Sequence, residues 1–282
     1  MITNSFIKRS ISGFIFVLIL VSGIFFSQYS FLLLFAIISL IAMNEFNTLF
    51  KSYIDKTFKF LISIVHILIL IFFIINKANF DKYGSLYFYS GLSFILILAN
   101  ITFLVTNLFK TKHANLQAPH IAIFNLLYIC IPFILFMDIA FINGTYSPFI
   151  IFTIILLIWT NDTGAYIVGR LIGRKALFKS VSPNKTREGF IGGLLTTLIS
   201  ILLLYYLFNK ELEIIGKFAW ITIGLIVSIL GAIGDLIESK LKRFLQVKDS
   251  GNILPGHGGL LDRFDALLIV APIIKIYLIF IL

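Results

Sequence analysis

The sequence predicts an all-α, polytopic membrane protein of about nine transmembrane helices, with a cytoplasm-facing active-site pocket in its carboxyl-terminal half. Three observations predict it. Of 282 residues, 59% are hydrophobic and only 13% charged, whereas soluble domains run near half apolar and about a quarter charged. Apolar runs long enough to cross a ~30 Å hydrocarbon core recur along the whole chain. Lys and Arg, which give a formal charge of +10, gather in alternate connections between those runs.

In order, the runs are Ile11–Phe26, Phe31–Met43, Phe60–Ile75, Leu86–Phe109, Ile121–Ile142, Phe149–Thr160, Phe190–Phe208, Phe218–Ile233 and Ala266–Leu282. The first two are short and suit a helical hairpin. Lys8 and Arg9 ahead of an apolar run also fit a signal peptide, but the further apolar segments favour an uncleaved first helix. The single cysteine, Cys130, lies inside the fifth run. That excludes a disulfide framework and a cysteine metal site, and a buried thiol behaves as a small hydrophobe.

Nine spans from a cytoplasmic amino terminus put Lys8, Arg9, Lys51, Lys56, Lys59, Lys110 and Lys112 inside, with Arg170, Arg174, Lys175, Lys179, Lys185 and Arg187. Lys240, Lys242, Arg243, Lys248 and Arg263 fall on the same side. The opposite side keeps only Lys77, Lys82, Lys210 and Lys217, so the positive-inside rule sets the orientation. In a membrane chain this basic excess records topology and contact with anionic lipid, not nucleic-acid binding. The polar blocks Gly169–Gly189 and Asp235–Asp265 then face the cytoplasm. Residues 1–145 read as transmembrane scaffold and 146–282 as the catalytic region with its polar loops.

Three constellations carry chemistry. In WTNDTGAYIVGRLIGRK, Trp159 to Lys175, Asp162 directly follows an apolar run, where a carboxylate needs compensation. Gly164, Gly169 and Gly173 recur near helical spacing and offer a face for close helix packing. Asn161, Asp162 and Thr163 also suit an N-cap, compatible with a broken span and a short second helix, and a span end that merely caps itself accounts for Asp162 equally well. In VSPNKTREGFIGG, Val181 to Gly193, Ser182-Pro183 reads as a turn, with Thr186 or Ser182 capping the following helix. Backbone N–H groups at that helix start, beside Lys185 and Arg187, make an anion site, or else an ordinary basic loop.

The third constellation runs from Gly234 to Asp265. On a helix, Asp235, Glu238, Ser239 and Lys242 share one face, and Asp235 follows the eighth run with no polar buffer. In KDSGNILPGHGGLLDRFD, Lys248 to Asp265, clustered glycines, Gly258 and Gly259 among them, let the backbone approach a phosphate. Asp262 and Asp265 fall three apart at the start of the last helix, where negative charge is favourable. Carboxylates without a His pair or Cys suit Mg²⁺ over Zn²⁺, and His257 alone is a weak metal argument. Bottom-up, this is a membrane enzyme acting on a phosphorylated substrate with Mg²⁺, because such transfer is mainly positioning and charge neutralisation.

SKLKRFLQVKDSGNILPGHGGLLDRFD, Ser239 to Asp265, resembles the signature of the bacterial phosphatidate cytidylyltransferase (CDP-diglyceride synthase) family. NDTGAY and SPNKTREGFIGG resemble its companion blocks, in its order. The likeness runs from about Trp159 to the end, and the amino-terminal half agrees only in hydrophobic character. The resemblance implies a nucleotidyltransferase of phospholipid biosynthesis. It moves a cytidylyl group from CTP to phosphatidic acid, giving CDP-diacylglycerol and pyrophosphate, with Mg²⁺ and K⁺ as a companion ion. A multi-pass homodimer in the bacterial inner membrane is implied, with no nucleic-acid partner. Carried over, Asp235 and Asp262 are the principal metal ligands, with Asp265 and Asp249 nearby. Asp235, Asp262, Ser239 and Lys248 form the catalytic set. Lys242, Arg243, Ser182, Lys185, Thr186, His257, Gly258, Gly259 and Arg263 handle phosphates, and Asp162 and Tyr166 line the site. Arg187 stands where an aromatic residue often follows Lys-Thr, which leaves that position's role open. A CTP-dependent lipid kinase, a transporter with broken helices and a lipid-holding scaffold are the competing readings.

Overall fold

A computed structural model describes residues 2–78, 118–178, 182–256 and 258–282. The expected span Leu86–Phe109 and His257 lie outside them. Among the described residues eight helices are long and apolar enough to cross a membrane, by length and composition. They are α1 (Ile2–Phe26), α2 (Gln28–Leu49), α3 (Lys56–Ala78), α4 (Ala118–Ile139), α5 (Pro148–Ile172), α6 (Arg187–Leu207), α7 (Lys217–Phe244) and α8 (Leu261–Ile281). Each corresponds to one of the apolar runs. An antiparallel hairpin, β1 (Ala176–Phe178) with β2 (Ser182–Thr186), joins α5 to α6.

The chain divides into two compact units. One comprises Met1–Asp138 with Asp249–Arg263, the other Ile139–Lys248 with Phe264–Leu282. The signature loop therefore folds with the amino-terminal helices.

In the first unit, α1 and α2 form the expected hairpin, but neither helix is short: they have 25 and 22 residues. Ser27 alone connects them, and its capping box explains so tight a junction. Ser27 Oγ accepts from Ser30 N at 3.1 Å while Ser30 Oγ accepts from Ser27 N at 2.9 Å. Two of the donors orphaned at the start of α2 are thereby satisfied, which lets the polar serines extend the helix beyond the apolar run. Phe46 packs edge-on against Phe124 at 5.0 Å and Phe35 packs at a tilt against Phe136 at 5.1 Å, tying α2 to α4. In α4 the turn Leu126–Cys130 widens to a π-turn, with Ile131 N donating to Leu126 O. Pro132 cannot donate to the preceding turn, and a local π adjustment absorbs that loss. Lys77, at the end of α3, pairs with Asp138, at the end of α4.

In the second unit, α5 is one unbroken helix through Asn161, Asp162 and Thr163. The broken span and the N-cap reading of these residues are thus corrected. Small side chains on the facing helix let α5 continue in close contact where a capped end was expected. A Cβ at Gly193 would stand 2.8 Å from Asn161 O, and one at Gly189 would stand 2.7 Å from Ala165 O. Backbones this near each other fit a small-residue membrane packing seam. Helix α7 runs 28 residues, well beyond Ile233, so Asp235 to Arg243 is helical as expected. It ends through Gln246 at φ 57, with Val247 N returning to Lys242 O at 2.9 Å, a left-handed termination that closes the last carbonyls.

Candidate active site

The site residues of the second unit come from four elements. Thr186 terminates β2 and caps α6, its hydroxyl accepting from Gly189 N at 3.1 Å. Of the two caps the sequence offered, Thr186 is the one used. Glu188, one residue into α6, accepts from Arg174 N at 3.0 Å and Lys175 N at 3.3 Å, which fastens the hairpin back onto the helix start. The neighbouring Lys185 is thereby aimed at α7, where its Nζ pairs with Asp235 Oδ2. Ser239, one turn on, donates to Asp235 Oδ1 at 3.2 Å. Asp235 is thus held by an ammonium on one oxygen and a hydroxyl on the other. Thr186→Ala should lower the stability of the purified protein by about 1 kcal/mol, read as a drop in melting temperature in detergent, while Thr186→Ser should stay near wild type.

Further carboxylates surround this group. Asp265, in the second turn of α8, feels the charges of Asp235 and Asp162 and lies close to Glu238. Ala266 N also donates to Asp265 Oδ1 at 2.6 Å. Gly234 permits this approach, since a Cβ there would stand 2.8 Å from Asp265 O. Glu238 is buried, 1% exposed, and Lys242 Nζ lies 3.3 Å from it. Four acidic side chains and two ammonium groups therefore share one region of this unit.

Other expected site residues are exposed or half-buried. Tyr166 is 65% exposed and its hydroxyl accepts from Arg170 at 3.3 Å. Arg243 is exposed and donates to Val247 O at 3.4 Å. Lys248 and Arg263 are exposed, and Ser182 is half-buried on β2.

The signature loop is organised by two carboxylates of the first unit. Asp262 accepts from Ser250 N at 3.1 Å and Gly259 N at 2.9 Å through Oδ2. Glu45, from the end of α2, accepts from Leu260 N at 3.0 Å, Leu261 N at 2.7 Å and Ser250 Oγ at 3.3 Å. Gly256 and Gly258 have φ of 76° and 84°, a backbone that only glycine adopts without strain. Leu254 N closes the turn onto Gly258 O at 3.1 Å, and Ser12 of α1 donates to Pro255 O at 3.0 Å. Asp249 is exposed beside it. Sequence reading missed Glu45, and it missed Glu238 as a member of the acidic group. The signal for Glu45 was the one used for Asp235: an acid directly after an apolar run.

The acidic group can be compared with what Mg²⁺ requires. Asp235, Asp265, Asp162 and Glu238 are hard oxygen donors of the kind Mg²⁺ takes. Among the described residues no three such side chains converge into a ready-made cage.

A family model described as the cytidylyltransferase family matches residues 7–281. A phosphatidate cytidylyltransferase of Staphylococcus aureus (strain COL) is 49% identical over 126 residues, 44% of this chain and 46% of that protein. One of Staphylococcus haemolyticus (strain JCSC1435) is 50% identical over 124 residues, with the same shares covered. The chain thus spans about half the length of the curated relatives it matches.

Proposed function

The chain belongs to the cytidylyltransferase family, and from that premise we propose that it transfers the cytidylyl group of CTP to phosphatidic acid, giving CDP-diacylglycerol and pyrophosphate. The observation that carries this reading is Asp235, held between Lys185 and Ser239 among the carboxylates of Asp162, Asp265 and Glu238. The reaction must bring two polyanions together, so an alternation of basic and acidic groups at the ends of apolar helices suits it.

In this mechanism an oxygen of the lipid phosphate attacks the α-phosphorus of CTP in line. A new P–O bond forms as the bond to pyrophosphate breaks. The attacking phosphate monoester is already anionic near neutral pH, so no side chain needs to take its proton. Lys185, Ser182, Thr186, Lys242, Arg243 and Lys248 hold and orient phosphates, with His257, Gly258, Gly259 and Arg263 of the signature loop. Asp162 and Tyr166 line the site. Asp235, Asp265, Asp262 and Asp249 are the carboxylates offered to Mg²⁺, and K⁺ is a companion ion. When bound, Mg²⁺ supplies neutralisation of the charge on the transferring phosphate oxygens. Residues 146–282 carry the chemistry, facing the cytoplasm of a bacterial inner membrane, and the working form is a homodimer.

Purified protein given phosphatidic acid and CTP labelled at the α- or the γ-phosphate tests the proposal. The α-label should enter the lipid and the γ-label should leave as pyrophosphate, only with Mg²⁺ present. Transfer of the γ-label to lipid would instead establish a lipid kinase.

A further inference from the structure

Beyond the signature residues, and resting on the transferase reading above, we infer that Glu45 of α2 is a positioning residue, which seats the loop 249–263 and thereby fixes Asp262 for the reaction. Its side chain is 4% exposed. A carboxylate so buried is tolerated only when its oxygens are satisfied. Glu45 accepts hydrogen bonds from the signature loop and the first residue of α8: from the N–H groups of Leu260 and Leu261 and the hydroxyl of Ser250.

The loop is wrapped tightly around this carboxylate. A Cβ at Gly259 would stand 2.8 Å from Glu45 Oε2 and 2.7 Å from Gly251 N. Asp262 takes the neighbouring donors, the N–H groups of Ser250 and Gly259. Ser250 therefore serves both acids, by its amide to Asp262 and by its hydroxyl to Glu45. Three consecutive amides, Gly259 to Leu261, are divided between the same two acids. Little regular secondary structure orders this stretch, and Gly256 and Gly258 leave it intrinsically free. Without Glu45 the strand of chain that orients Asp262 loses its anchor. Loss of such an outer partner of a metal-binding side chain typically costs about 10–100-fold in metal affinity or activity.

The test compares full-length wild type with Glu45→Gln, Glu45→Asp and Ser250→Ala in detergent, by hydrogen–deuterium exchange and by Mg²⁺ titration of CDP-lipid formation. In Glu45→Gln, amides 259–261 should exchange faster while α2 stays protected. Its kcat should fall about 10–100-fold and its Mg²⁺ requirement should rise, with the KM for CTP changed less. Glu45→Asp, which keeps the charge, should recover part of that loss. Wild-type protection of amides 259–261 in Glu45→Gln would overturn the inference. So would a loosened loop with unchanged kcat and Mg²⁺ dependence. If Glu45→Gln does not fold, Ser250→Ala decides, since it removes one of three bonds: a smaller shift of the same kind supports the inference and wild-type behaviour overturns it. A wild-type protein that makes no CDP-lipid would refute the transferase reading, while the exchange measurements would still report whether Glu45 holds the loop.

Discussion

Asp235→Ala should abolish CDP-lipid formation, with kcat/KM falling by about three orders of magnitude while the protein still inserts and elutes as wild type does. The magnitude is that of removing one fixed electrostatic partner of a charged transition state. Asp235 is singled out because Lys185 and Ser239 hold its two oxygens, so the carboxylate is oriented before substrate binds. Asp235→Asn separates charge from shape, since the amide keeps an acceptor for Ser239 but loses its attraction for Lys185. If the charge does the work, Asn should be nearly as inactive as Ala. Assays of product formation at saturating Mg²⁺ check both, and turnover within ten-fold of wild type in either would remove Asp235 from the mechanism. Lys185→Ala should be less severe, because Lys242 supplies a second ammonium in the same unit.

A bulky residue in the α5–α6 seam should be the most damaging structural change. At Gly193 a first side-chain carbon already meets Asn161 O at 2.8 Å, Asn161 Oδ1 at 2.9 Å and Ala165 Cβ at 3.1 Å. One of those neighbours is backbone and cannot swing aside. Gly193→Ala should therefore cost about 1–3 kcal/mol, as overpacking usually does, and Gly193→Leu should prevent stable folding. Thermal melts of purified protein in detergent read the first. The second should leave aggregated or degraded protein on size exclusion. Because Asn161 and Asp162 are adjacent, the alanine variant should also lose activity beyond its loss of folded protein. A leucine variant with a wild-type melting temperature would show that the helices separate without penalty.

Most of the helical layout was legible because a bilayer imposes one rule, long apolar stretches, and the chain obeys it throughout. The ends were less legible. Hydrophobicity stops at Thr160 and Ile233, yet α5 and α7 continue to Ile172 and Phe244. Gly164, Gly169 and Gly173 were read as a packing face, but what they pack against is a matter of pairing between distant segments. Likewise Asp235, Ser239 and Lys242 could be placed on one helix face by spacing alone, while the choice of Lys185 as partner for Asp235 depends on how the β1–β2 hairpin returns. That hairpin was itself invisible, since Ala176–Phe178 is three residues long and lacks an alternating pattern. Glu45 carried the signal of an acid after an apolar run, but its partners, two backbone amides and the Ser250 hydroxyl, lie more than 200 residues away and have no signature in sequence.

The hold of Glu45 on the signature loop also sets a timetable for biogenesis. Its partners lie 205, 215 and 216 residues further along the chain. At ordinary translation rates of about 5–20 residues per second, Glu45 waits roughly ten to forty seconds for them. Throughout that interval α2 must stand at the membrane with an acid whose final ligands have not been synthesised. Helices α1 to α4 can thus all be made while Glu45 still lacks its partners, which arrive only as the loop before α8 and the start of α8 are synthesised.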